Sequence, residues 1–227
     1  MRDPLWELSK VFRLRFFYVA TRGNIKRLIA VYVFVTSFLG LSVLGGITLL
    51  FYWPLLFPSL GPTTFLIFYA PARAMSWPRN CIMGHLSGMV CGFLAFLVLY
   101  CFFPEKAMKT EFDLIKILFI SGAVGLTALI MVLADILHPP AASTAMIAAA
   151  GYFKHPTEVL GFIMALLLLV FEGIIFHRLS GIVYPWWSGD KKEQPPPIRT
   201  KIGEVGEISV PKDPYAELAH RLTTRRE

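Results

Sequence analysis

Apolar residues in this chain come in long unbroken blocks rather than in the alternating or half-amphipathic pattern of a soluble core. Four blocks, approximately 28–53, 81–103, 114–137 and 159–184, are each long enough to cross a bilayer, which takes roughly 20 residues of helix. Aromatic residues mark their ends: Tyr52 and Trp53, Trp77, Tyr100, then Tyr184, Trp186 and Trp187. Such side chains suit the headgroup layer, where an apolar ring and a polar edge are both satisfied.

Between the blocks lie two apolar stretches too short for ordinary spans. Ser59-Leu-Gly-Pro-Thr-Thr-Phe-Leu-Ile-Phe-Tyr-Ala70 is bracketed by Pro54, Pro58 and Pro71. His138-Pro-Pro-Ala-Ala-Ser-Thr-Ala-Met-Ile-Ala-Ala-Ala-Gly151 follows the third block. Each opens on prolines, carries a hydroxyl pair and then runs for about two apolar turns. Proline is tolerated in the first turn of a helix, where its missing N–H is not needed. Both stretches therefore read as short helices starting inside the protein. A shift of 80 residues lays Thr63-Thr64 on Ser143-Thr144, the first block on the third and the second on the fourth. The expected fold is all-α and transmembrane: four long spanning helices, two Pro-broken half-helices and an internal two-fold repeat. If the short pieces turn back there are four crossings and parallel halves; if they traverse there are six, with inverted halves.

Composition agrees. Of 227 residues, 56% are hydrophobic and 16% charged, against about 25% charged in soluble domains; mean hydropathy is +0.60. The net charge of +7 resides mainly in the terminal segments, which points to membrane orientation rather than to nucleic acid. Residues 1–27 interleave Arg and Lys with apolar residues and read as a basic, amphipathic interfacial segment; no signal-peptide pattern is seen there. Residues 28–184 form the membrane domain. Residues 185–227 read as a polar cytoplasmic tail with a stiff Pro195–Pro197 spacer and a short helix over Pro214–Arg225. Both termini are expected in the cytoplasm, in a prokaryotic cytoplasmic membrane. So small a bundle is compatible with self-association. Cys81, Cys91 and Cys101 stand ten residues apart, rotating successive side chains by about 80° on a helix, so no shared metal or disulfide framework is expected.

The polar residues inside the apolar blocks carry the candidate chemistry. Backbone broken at membrane depth is satisfied by protein or by water in a cavity, and half-helix N-termini in repeated transporters face anionic groups. Thr63, Thr64, Ser143 and Thr144 would add hydroxyls there. His85 and His138 are ionisable groups within the apolar region, a functional signal by default; a hydrogen-bonded structural histidine is the plain alternative. Arg79 and Asn80 precede the second block as vestibule candidates. Asp135 lies one turn before His138, and Glu172 lies in the middle of the fourth block; both are candidates for proton coupling. Gly84, Gly88 and Gly92 form a small-residue stripe for close helix contact. No hydrolase, P-loop or dinucleotide motif is present, so neither an enzyme nor a cofactor is expected.

Two ordered motifs also resemble a known family. Leu137-His-Pro-Pro-Ala-Ala-Ser-Thr-Ala-Met-Ile-Ala148 is similar to the signature of the HPP family of integral membrane proteins. Ser59-Leu-Gly-Pro-Thr-Thr, Ala70-Pro, Trp77-Pro-Arg-Asn80 and Gly84-His85 look like that family's second landmark. The resemblance implies four-span membrane proteins, some of them implicated in nitrite transport, and hence a small-anion transporter or channel with nitrite as the first candidate. It carries over His138, Pro139, Pro140, Thr144, Arg79, Asn80, Gly84 and His85. Ala142-Ser143, Pro62-Thr63 and Met83 depart from the family pattern. The competing expectation is a non-transporting membrane scaffold that recruits a cytoplasmic partner.

Overall fold

The structure, a computed structural model, describes residues 24–109 and 111–189. The basic segment before residue 24 and the tail beyond residue 189, where a helix over Pro214–Arg225 is expected, lie outside the described residues.

Four long helices are apolar enough to span a membrane: α1, Ile25–Phe51; α3, Pro78–Phe102; α5, Leu114–Leu133; and α7, Pro156–Leu179. Two short ones, α2 (Leu60–Tyr69) and α6 (Ala141–Ala149), fall in the proline-broken stretches. A five-residue α4, Pro104–Met108, links α3 to α5, and a 3₁₀ turn covers Ala74–Ser76. The described residues contain no strand.

Helix ends follow local chemistry more closely than the apolar blocks do. Helix α1 begins three residues before its block because Asn24 caps it, its Oδ1 accepting from Lys26 N at 3.0 Å and Arg27 N at 3.3 Å. Pro78 and Pro156 occupy the first positions of α3 and α7, the position proline tolerates best. Helix α5 stops at Leu133, four residues short of the block expected to end at 137. Asp135 there takes a left-handed φ of 53°, and His138 precedes a proline, which disfavours helix. Asp113 caps the start of α5: its Oδ1 accepts from Lys116 N at 2.8 Å, and Oδ2 pairs with Lys106 at 2.9 Å. The Lys116 N–H, followed by the Lys106 ammonium, holds that carboxyl below the usual carboxylate range.

Contacts along the helices fix their directions. Tyr32 meets His177, and Gly40 meets Glu172 and Leu169, so α1 and α7 are antiparallel. Arg79 meets Trp187, His85 meets Phe162 and Phe93 meets Phe153, so α3 also opposes α7. Helices α1 and α3 thus point the same way, and residues 52–77 carry the chain back between them. The contacts show the return, because Pro54 lies on Gly161, Phe57 on Phe162, and Phe68 on Phe176, placing α2 parallel to α7. In the second half, α6 runs parallel to α3: Gly84 faces His138 and Ala141, and Gly92 faces Ala145 and Ala149. Helix α5 opposes α6, with Ala123 packed near Ala149 and Met131 near Ala141. The first triplet of helices and the second therefore run in opposite senses.

Each short helix reaches the other half: α6 packs along α3, and α2 lies against both α1 and α7. The two seams differ in tightness. A Cβ on Gly88 would strike the Ala141 carbonyl, and one on Gly92 would lie 2.5 Å from both Ala145 O and Ala148 Cβ. The α6 backbone thus rests directly on the glycine stripe. Along the other seam α7 offers Gly161 and Gly173, with larger side chains between them.

Candidate functional site

The starts of α2 and α6 meet beside the second turn of α3, and four polar side chains meet there. His138 is non-helical because Pro139 follows it, so its ring hangs between α5 and α6. Gly84 makes the room: a side chain there would place its Cβ 2.8 Å from His138 Cβ. His85, the next residue on α3, faces the same point. Thr63 arrives from α2 and Thr144 from α6. All four residues are fully buried, each 0% exposed.

Their hydrogen bonds form one chain. Thr144 Oγ1 lies 2.7 Å from His85 Nδ1. His85 Nε2 lies 2.7 Å from Thr63 Oγ1 and 3.2 Å from His138 Nε2. Thr63 Oγ1 is also 3.1 Å from His138 Nε2 and 3.2 Å from its acceptor, Ser59 O. His138 Nδ1 lies 2.6 Å from the Met75 carbonyl. The His85 and His138 rings meet edge to face at 4.8 Å, and Phe162 closes one side of His85 at 5.5 Å.

Partner chemistry assigns most of the protons. A carbonyl only accepts, so Nδ1 of His138 donates to Met75 and its Nε2, in a neutral ring, accepts. With its hydrogen on Nε2, His85 donates toward Thr63 and His138, Thr144 donates to His85 Nδ1, and Thr63 donates to Ser59 O. Every group is then satisfied. With the hydrogen on Nδ1 instead, two Nε2 lone pairs face each other across 3.2 Å and compete for one hydroxyl hydrogen. In the satisfied arrangement both rings are neutral, and the one hydrogen between them, on His85 Nε2, is shared with Thr63.

Residues named from sequence divide into two groups. Thr63, His85, His138 and Thr144 come together. Asn80 and Arg79 stand behind them: Asn80 Nδ2 donates to Leu137 O at 3.3 Å, and Arg79 Nη1 donates to Asp135 O at 3.1 Å. Both therefore brace the turn that presents His138. Asp135 is exposed on that turn, and neither ring nitrogen of His138 is turned to it. Thr64 bonds back to Leu60 O at 2.7 Å and lines an apolar groove of about 820 Å³ between α1 and α2. Ser143 is half-buried and outside the cluster. Pro139 is exposed and Pro140 buried. Glu172 lies elsewhere, between α7 and α1.

The free N–H groups expected at the two half-helix starts are mostly occupied. Ala141, Ala142 and Ser143 donate to the carbonyls of His138, Pro139 and Pro140, and Leu60 and Gly61 donate to Phe57 and Pro58. The side chains, rather than the backbone amides, are the available chemistry. One contributor had no signal in the sequence, the Met75 carbonyl; Ser59, which opens the first short stretch, accepts from Thr63 through its carbonyl, and its buried hydroxyl has no partner among the described residues. His177, near the end of α7, is fully buried. It donates from Nε2 to Ile67 O at 2.9 Å and accepts from Tyr32 at 2.9 Å, fixing the far end of α2.

A family model described as HPP, transmembrane region, matches residues 22–185. No curated protein and no solved structure shows significant similarity to the chain.

Proposed function

The chain belongs to the HPP transmembrane family, and from that premise we propose that it moves a small inorganic anion, nitrite first among the candidates, across a prokaryotic cytoplasmic membrane. One observation carries the reading: a closed Thr–His–His–Thr chain buried where two short helices meet in a bundle of membrane-spanning length. Buried polar networks of this kind are costly unless complete, and ionisable groups among spanning helices are rare outside pathways.

The anion replaces contacts the network now makes with itself. Thr63 and Thr144 turn their hydroxyl hydrogens to it, and the protonated histidine pair supplies N–H donors and one positive charge. The donors stand at hydrogen-bond spacing from one another, so a planar ion with two or three oxygens fits the count of N–H and O–H groups. Arg79 attracts the ion at the mouth, near the turn its guanidinium braces. The two oppositely directed helix triplets fit an inverted repeat. Shifted by 80 residues, Leu60–Tyr69 falls on 140–149, against the observed Ala141–Ala149. Repeats so related commonly alternate access around a central site.

Nitrite uptake into proteoliposomes holding the full chain tests the proposal. Uptake that is faster with an inward proton gradient, and reduced at least tenfold in Thr63→Val, Thr144→Val and His138→Gln, is expected. Folded protein that takes up no nitrite under a gradient of either sign removes nitrite as substrate. A membrane scaffold predicts a different pattern: no flux, with partner recruitment abolished by deleting residues 190–227.

A further inference from the structure

Glu172 is an acid held among the spanning helices with no hydrogen-bond partner among the described residues. It lies near the middle of α7, 9% exposed, with both carboxylate oxygens buried and without a hydrogen bond. An interhelical hydrogen bond, the ordinary explanation for such a residue, is therefore missing. Instead the carboxyl lies against α1 at its barest point: a Cβ on Gly40 would stand 2.9 Å from Oε2 and 3.8 Å from the Phe68 ring of α2. Three helices meet around one unpaired acid.

Among the described residues, nothing charged faces it. Residues 28–51 of α1 and 60–69 of α2 contain no Lys, Arg, His, Asp or Glu; their titratable side chains are Tyr32 and Tyr69. Tyr69 is exposed, and Tyr32 is bonded to His177. On α7 itself the nearest ionisable residues in sequence are His177, then Arg178, whose Nη2 donates to Tyr184 O at 3.1 Å, and then Glu158. Glu158 caps the start of that helix, and His177 has both ring nitrogens engaged. An ionised carboxylate in this position would have neither a counter-charge nor a donor, a state that buried charges do not sustain.

From this geometry we infer that Glu172 is a proton-binding site within the membrane, loaded when α1 and α7 are closed at Gly40 and emptied when they part. Ionisation requires water or donors to reach the carboxyl, and Gly40 is the contact that excludes them. Because Phe68 belongs to the same junction, loading also bears on the end of α2 opposite Thr63. The inference rests on the membrane-spanning reading of α7, not on the identity of any transported ion.

Dicyclohexylcarbodiimide, which enters lipid and attacks protonated carboxyl groups, is the probe. The full chain in liposomes, with no nitrite present, is treated across a pH series and the adduct is located by mass spectrometry. Modification at Glu172 that declines as pH rises, and is lost in Glu172→Gln, is expected. No adduct at any pH in protein that elutes as a folded species, or labelling independent of pH, overturns the site. Gly40→Ala, which crowds Oε2, should change the labelling rate, whereas Gly46→Ala, with nothing within 4 Å of its Cβ, should not. Equal rates in both variants overturn the link to α1–α7 closure. Because no nitrite is present, failure here leaves the anion reading standing, and failure of nitrite uptake leaves this one standing.

Discussion

At the scale of single residues, the distinction between Thr63 and Thr64 decides what the short helix α2 contributes. Both hydroxyls are buried, but only Thr63 reaches the histidines; Thr64 returns to Leu60 O. Thr63→Val removes the nearer acceptor of the His85 Nε2–H and leaves Ser59 O without its hydroxyl donor, with only the 3.2 Å contact remaining between the two rings. An unsatisfied buried polar group costs about 1–3 kcal/mol, so this variant should lose thermal stability as well as activity. Thr64→Val exchanges a back-bonded hydroxyl for a methyl and should leave transport within about twofold, with a stability change below about 1 kcal/mol. Thermal unfolding in detergent alongside flux separates the two. The 80-residue shift pairs Thr64 with Thr144, whereas it is Thr63 that shares His85 with Thr144. A helix turns neighbouring side chains by 100°, and the phase of α2 is set by His177 and Ile67 at its far end, which no local pattern reveals. His85, His138 and Thr144 were legible because an apolar block makes each polar residue conspicuous. The Met75 carbonyl, which fixes the His138 tautomer, was invisible because every residue has one.

Helices add a second layer of dependence. The α3–α6 seam brings Thr144 to His85, and it exists because α3 presents glycine where the α6 backbone passes. Gly88→Ala forces a methyl against the Ala141 carbonyl, and overpacking of this kind costs about 1–3 kcal/mol or more. A lower melting temperature and loss of flux should appear together. Gly122→Ala on α5 is the control: nothing lies within 4 Å of its Cβ, and alanine improves a helix interior by about 0.8–1 kcal/mol. At the start of α5, Asp113 makes a contribution that depends on pH. Its folded-state value is depressed, so its stabilisation is complete above the ordinary carboxylate range and disappears as pH falls through the depressed value. Asp113→Asn keeps an acceptor for the Lys116 N–H but loses the charge. It should flatten the acid side of the stability–pH curve and leave the alkaline side unchanged. The spans themselves were legible from apolar length alone. Their ends were not, because Asn24, Asp113 and the prolines that open α3 and α7 act through caps and φ restrictions that hydropathy does not register.

At the scale of the molecule, the directions of the helices bear on whether the chain crosses four times or six. Since α1 and α3 run the same way, residues 52–77 must return the chain across the bundle, and 134–155 does the same between α5 and α7. Lys26, Arg27, Arg73, Arg79 and Arg178 then gather at the end where α1 starts. Lys106, Lys109 and Lys154 lie at the other end, where Glu105, Glu111, Asp113 and Glu158 offset them. Had the short segments turned back, Arg73 and Arg79 would face the side opposite Lys26, and the two basic groups would oppose each other. The basic end also adjoins the Arg-rich sequence before residue 24, and positive residues favour the cytoplasm. Cysteines introduced one at a time at Lys26, Arg73 and Asp135 in a background lacking Cys81, Cys91 and Cys101 should therefore react with a membrane-impermeant maleimide from the cytoplasmic face alone. Cysteines at Lys106 and Lys154 should react only from the opposite face. Reaction of the Arg73 and Lys106 positions from one common face would mean that residues 52–77 do not return the chain across the bundle. The inverted arrangement of the halves would fail with that result, and so would alternating access around Thr63, His85, His138 and Thr144.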